Sequence, residues 1–170
     1  MDQAWKFHSV LDTKFPDEGL VPTLHDCVAE DLRVEDGKLI FDFPGGFRLL
    51  PQDEKNPYNQ VCGTSASRVC MELFSHSPED DLIITLFKSP RLFCSHGFMA
   101  ARKIAADTLI KKIHSKKWKL EFLSKYTQSL SAMYHCVIYT RRSHMECWIE
   151  IDYTKIHYYW NEVLEGKRER

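Results

Sequence analysis

The chain has 170 residues, 44% of them hydrophobic and 28% charged, with a formal net charge of −1. That length suits a single domain, 1–170, burying about 70% of its unfolded surface around one core, so folding needs neither disulfides nor a structural metal. The composition is that of an ordinary soluble globular protein, with no apolar run long enough for a membrane span and no charged-then-apolar leader.

Six cysteines without a leader fit reduced thiols and a cytoplasmic location, many of them buried as small apolar residues. The near-neutral total conceals a polarity along the chain. Residues 1–60 hold 12 acidic and 6 basic side chains, whereas residues 91–170 hold 8 acidic and 15 basic ones. Such asymmetry can mark a binding surface, although interleaved strands would cancel it in space.

In chain order, Trp5 to Val10 reads as a short strand and Phe15-Pro16-Asp17-Glu18-Gly19 as a turn. Val28 to Leu50 is the clearest β-meander. Asp36-Gly37 suits the two positive-φ sites of a type I′ turn, and a two-residue loop there sets the register on both sides. Glu35 then pairs with Lys38, Val34 with Leu39, Arg33 with Ile40, Leu32 with Phe41 and Asp31 with Asp42. Alternation collects Val34, Leu39, Leu32 and Phe41 on one apolar face, the core side. The opposite face sets Asp31 across from Asp42. Like charges directly opposed are unfavourable, so this pair calls for Arg33 on the diagonal, a cation, or a basic partner.

Pro44-Gly45-Gly46 makes a second turn into Phe47 to Leu50, and Pro51 to Ala66 is a long polar loop of the kind often functional or mobile. Ser67 to Phe74 alternates, with Val69, Met71 and Leu73 on one face. Leu82 to Phe87 is apolar on both faces and reads as a central strand. With Ser77-Pro78-Glu79-Asp80-Asp81 as a hairpin loop, these two strands should pair.

Arg91 to His96 extends or re-enters the sheet, and Phe98 to Ile104 fits either helix or strand. Ala101, Ala105, Leu109 and Ile113 recur every four residues, and Ala105 to His114 is the principal helix, closed by Ser115 and the Lys116-Lys117 pair. Trp118, Leu120 and Phe122 alternate. Tyr134 to Tyr139 and Met145 to Tyr153 form a hairpin around Arg141-Arg142-Ser143-His144, Ile156 to Trp160 is one more strand, and Gly166 to Arg170 is a charged tail expected to fray. The fold class is therefore α+β: a mainly antiparallel, curved sheet of about seven to nine strands with one principal helix.

Three constellations bear on chemistry. His25 with Cys27, Cys94 with His96, His135 with Cys136 and His144 with Cys147 suggest metal ligation, but no cysteine pair has the close spacing common in zinc sites, so no metal and no cofactor is expected. His25, Asp26 and Cys27 are the residue types of a cysteine nucleophile. Consecutive strand residues point to opposite faces, however, and no oxyanion element or phosphate-cradling loop accompanies them. The third is a strand face carrying Glu146, Trp148, Glu150 and Asp152 opposite Cys147, Ile149 and Ile151. It offers a tryptophan anchor with carboxylates that steer a basic protein.

Leu24-His25-Asp26-Cys27, Leu39-Ile40-Phe41-Asp42-Phe43 with Gly46-Phe47, Trp118-Lys119-Leu120-Glu121 and Tyr158-Tyr159-Trp160-Asn161 together resemble small cytoplasmic proteins of Gram-positive gut bacteria. Some of these resemble the immunity proteins that neutralise toxins of polymorphic or contact-dependent systems. The resemblance implies a non-enzymatic, single-domain inhibitor of a toxin domain and assigns no contact residue. The expected partner is thus a basic toxin domain, met by Asp31, Asp42, Glu146, Trp148, Glu150 and Asp152, with neither membrane nor nucleic acid as the preferred partner. A small hydrolase using a Cys/His/Asp site, and an RNA-binding protein using the basic C-terminal half, are the competing classes.

Overall fold

A computed structural model describes residues 4–12, 22–88 and 100–165. In chain order the elements are β1 (Phe7–Asp12), β2 (Cys27–Ala29), β3 (Asp31–Glu35), β4 (Lys38–Phe43), β5 (Arg48–Leu49), β6 (Cys62–Thr64) and β7 (Ser67–Leu73). There follow α1 (Pro78–Asp81), β8 (Leu82–Lys88), β9 (Ala100–Ile104), α2 (Ala106–His114), β10 (Trp118–Gln128), β11 (Ser131–Thr140), β12 (His144–Trp160) and β13 (Val163–Leu164). Ten strands join in one antiparallel sheet that does not close, and β13, β6 and β5 make a small second one. The fold is the expected antiparallel sheet with one principal helix, built from more strands than the sequence suggests.

The 17-residue β12 is its spine. The first half of β12 pairs with β11 and β8, and the second half with β7 and β1. A register irregularity between Tyr153 and Lys155 marks the change of partners. Irregularities of this kind bend a strand. The two half-sheets accordingly turn their apolar sides toward each other: Phe41 and Phe43 of β4 lie 5.5 and 5.7 Å from Phe122 of β10, which meets Tyr134 edge-on at 5.3 Å. Phe47 packs edge-on against Tyr158 and Trp160 at the same interface.

The β3–β4 meander has the register read from its turn, Asp31 opposite Asp42 included. Asp36 and Gly37 both take positive φ, 51° and 72°, as a type I′ turn requires. Leu32, Leu39 and Phe41 are buried and Val34 packs against them.

Several expectations are corrected. Ser67 to Phe74 and Leu82 to Phe87, expected to form a hairpin, do not pair with each other. Leu73 lies opposite Tyr153 and Leu82 opposite Ile151, so β7 and β8 run end to end along β12. The segment between them is no tight turn: Pro78–Asp81 forms α1, and the buried Asp81 carboxylate accepts the Ser75 N–H at 2.8 Å. The long apolar β12 offers both strands a better partner than they offer each other. Ile156 to Trp160 is likewise the continuation of β12 and not a separate strand.

The four-residue spacing that begins at Ala101 is partly coincidental, because Ala101 lies in β9 and helix α2 starts at Ala106. Its buried stripe is Ala106, Leu109 and Ile113, and the Glu79 side chain accepts the Asp107 N–H at 2.9 Å. The polar loop after Pro51 is pinned. The Asn56 amide donates to the carbonyls of Leu50 and Gln60 at 2.9 and 2.8 Å, and its oxygen accepts the Tyr58 N–H. The turn at Phe15 to Gly19, the segment Arg91 to His96 and the tail after Glu165 lie outside the described residues.

Candidate functional site

The outer face of the half-sheet formed by β10, β11, β12 and β8 contains four of the six residues expected to meet a partner. Alternation explains it: Ala132, Tyr134, Cys136 and Ile138 point into the core, so Met133, His135, Val137 and Tyr139 point out. On β12, Cys147, Ile149 and Ile151 are buried while Glu146 and Glu150 are exposed and Trp148 and Asp152 are half-buried.

Trp148 is the centre of this face. Its cross-strand neighbour His135 stacks on it at 5.2 Å, and Tyr126 stacks almost parallel at 6.1 Å. Thr85 and Ile83 of β8 lie opposite Trp148 and Glu150. Tyr126, Ile83 and Tyr139 are 54%, 46% and 42% exposed, so the face is open to solvent. Glu146 stands 3.8 Å from the His135 Nε2. Aromatic rings at the middle with carboxylates around them make a surface suited to a protein partner, with apolar contact at the centre and charge at the margin.

Tyr126 was not legible as part of this site. β10 and β11 are paired regularly from Trp118 to Phe122, and a bulge then shifts the register by one residue before Ser124. A one-residue slip exchanges the faces of every later side chain. Without it Tyr126 would follow Phe122 inward; with it Tyr126 pairs with Met133 and lies beside Trp148.

Asp31 and Asp42 lie on the other half-sheet and face neither Trp148 nor its acids. The Arg33 guanidinium bonds both carboxylates, as the diagonal position suggested, and Arg68 Nε donates to Asp42 at 2.7 Å. His114 Nδ1 is 2.9 Å and Lys116 Nζ 3.6 Å from Asp31. Burial alone would raise the Asp42 carboxyl, but bonds and charges from Arg68 and Arg33 outweigh it and hold the group below its ordinary value. The like-charge pair is therefore resolved inside the molecule.

The same outer surface holds a histidine ladder. His8 and His157 stack at 5.3 Å with ring nitrogens 3.1 Å apart, and His157 Nε2 is 3.1 Å from Glu72. Burial lowers both imidazoles below the ordinary 6.5. The neighbouring His157 and then Lys55 add to the effect at His8, while Glu72 opposes it at His157. The unfolded chain thus binds more protons just below pH 6.5, and stability falls as pH drops through the folded-state values. A second loss follows below the ordinary carboxyl value of 3.8 as the lowered Asp42 protonates. Thermal melting between pH 8 and pH 3 should show both stages, and His8→Gln should shrink the first, leaving the share carried by His157, without changing the second.

The His25, Asp26 and Cys27 set does not assemble. Cys27 Sγ lies 3.4 Å from the His25 carbonyl oxygen, the His25 ring Nδ1 bonds the Leu123 carbonyl, and Asp26 lies 3.5 Å from both His25 Nε2 and Arg48. Burial pushes the Cys27 thiol up to about 11, away from the thiolate a nucleophile needs. Burial likewise raises Cys147 to about 12, and its cross-strand partner Cys136 is raised as well. Among the described residues no three His, Cys, Asp or Glu side chains converge as a metal site would require. Cys94 and His96 lie outside them. No family model, curated protein or solved structure matches the chain.

Proposed function

We propose that this chain is a protein-binding module, and that its partner is a basic protein domain docked on the outer face around Trp148. One observation carries the reading. A solvent-open aromatic stack of Tyr126, Trp148 and His135 stands among Glu146, Glu150 and Asp152, on strands whose inner faces are locked into the core. A rigid sheet presents such rings without an ordering cost on association. The concrete form, suggested by the resemblance in sequence, is neutralisation of a toxin domain by occlusion of its basic groove. Asp31 and Asp42, tied up by Arg33 and Arg68, are less suited to a partner than Glu150 and Asp152.

The test is copurification with a basic domain encoded immediately upstream, followed by association kinetics. Reversing two steering charges in Glu150→Lys with Asp152→Lys should slow association roughly tenfold or more at low ionic strength, an effect fading as salt rises. An unchanged association rate would remove this face from the proposal.

A further inference from the structure

At the hairpin end of the same half-sheet, away from Trp148, the outer face becomes strongly basic. Where the turn after α2 approaches the β11–β12 hairpin, a groove of about 650 Å³ is lined by Lys116, Lys117, Lys119, Tyr139, Thr140, Arg141 and Arg142. Five of these seven side chains are cations, contributed by two chain segments that the β10–β11 pairing brings together.

Elsewhere on the molecule many cations are matched. Arg33 and Arg68 hold Asp42, Lys38 holds Glu72, Arg48 approaches Asp26 and Lys111 holds Asp107. In the groove, Lys119 is paired with Glu30, and Lys116 donates to the Glu30 carbonyl and approaches Asp31. Lys117, Arg141 and Arg142 have no ion-pair partner among the described residues. Like charges gathered in a concave site repel one another and focus a positive potential, a cost that a bound anion removes.

Beside the cations stands an aromatic platform. The Tyr139 hydroxyl donates to Glu121 at 2.6 Å, which tethers a ring that is 42% exposed, and the cross-strand His144 lies against it with centroids 6.2 Å apart. Cations that follow a backbone next to a fixed ring able to stack a base are the parts of a single-strand nucleic-acid site. An acidic peptide would use the cations but not the ring. We propose that this groove binds single-stranded nucleic acid, with phosphates on Lys117, Arg141 and Arg142 and a base stacked on Tyr139. This site uses neither Trp148 nor the two rings stacked on it.

The experiment is fluorescence anisotropy of the full chain with a labelled oligouridylate of about ten nucleotides. Three phosphates neutralised on a single strand give a salt slope of about −2, or roughly a 20-fold weakening from ~50 to ~200 mM salt. Arg141→Glu with Arg142→Glu, both exposed residues of the β11–β12 loop, should leave the melting temperature nearly unchanged, weaken binding at least tenfold and flatten the slope. Tyr139→Ala should weaken it about tenfold while Tyr139→Phe retains it, because stacking needs the ring. Trp148→Ala should leave it unchanged. No binding at low salt, binding indifferent to the double reversal, or equal displacement by poly-glutamate would each overturn the proposal.

Discussion

Gly46→Ala should destabilise the protein by about 3 kcal/mol or more, while the neighbouring Gly45→Ala stays within about 0.5 kcal/mol. Gly46 takes φ +75°, and a Cβ there would sit 2.1 Å from the Thr64 carbonyl oxygen, 2.6 Å from the Thr64 hydroxyl and 2.7 Å from the Ser65 carbonyl oxygen. Two of those atoms are backbone. They are held in place because the buried Thr64 hydroxyl accepts the Phe47 N–H at 3.0 Å and bonds Ser67 at 2.6 Å. To make room, β6 would have to withdraw from β5, exposing Phe47 and Leu49. At Gly45 no atom lies within 4 Å of the added carbon. For a domain of this size about 3 kcal/mol is a fall of roughly 6–12 °C in melting temperature. Calorimetry of the two variants is therefore a controlled comparison of adjacent positions, and equal melting temperatures would contradict the close approach of the two segments.

Trp148→Ala should weaken partner binding by about 2–3 kcal/mol, roughly 30- to 150-fold in Kd, with the loss mostly in the dissociation rate. The indole is the largest ring on the open face and supports both Tyr126 and His135, so truncation removes the anchor and releases two neighbours. Its effect on stability should be much smaller than that of a core ring such as Phe122, because the partly exposed indole leaves no closed cavity behind. Titration calorimetry with the copurified domain separates this change from the kinetic effect of reversing Glu150 and Asp152: a steering charge acts on association, an anchor on dissociation.

Features of this fold differ in how far neighbouring residues alone determine them. The Asp36-Gly37 turn is local, so the whole β3–β4 register could be read from it, including the opposed Asp31 and Asp42 and the diagonal Arg33 that resolves them. The alternation around Trp148 is also local, and it placed Glu146, Trp148, Glu150 and Asp152 on one side of one strand.

The rest depends on contacts between residues distant in the chain. β7 and β8 carry a convincing hairpin pattern, yet both pair with β12, because a strand takes the partner that buries most apolar surface and not the nearest one. Tyr126 reaches Trp148 only through a bulge that no periodicity announces. Arg68 reaches Asp42 across 26 positions, and His8 reaches His157 across 149.

By itself, then, the sequence determined the class of fold, the register of its tightest hairpin, and which side of each strand is apolar, all consequences of backbone geometry over a few residues. Tertiary structure decided which strands are neighbours, whether the charges are neutralised, and where the surface stays open. Among the described residues, Glu30, Asp31 and Asp42 of the acidic first third are met by Lys119, Lys116 and Arg68 from later in the chain. Five cations of the basic last eighty residues gather in one groove, two of them also reaching Glu30 and Asp31. Charge complementarity acts over ångströms in space, and only the folded chain sets those distances.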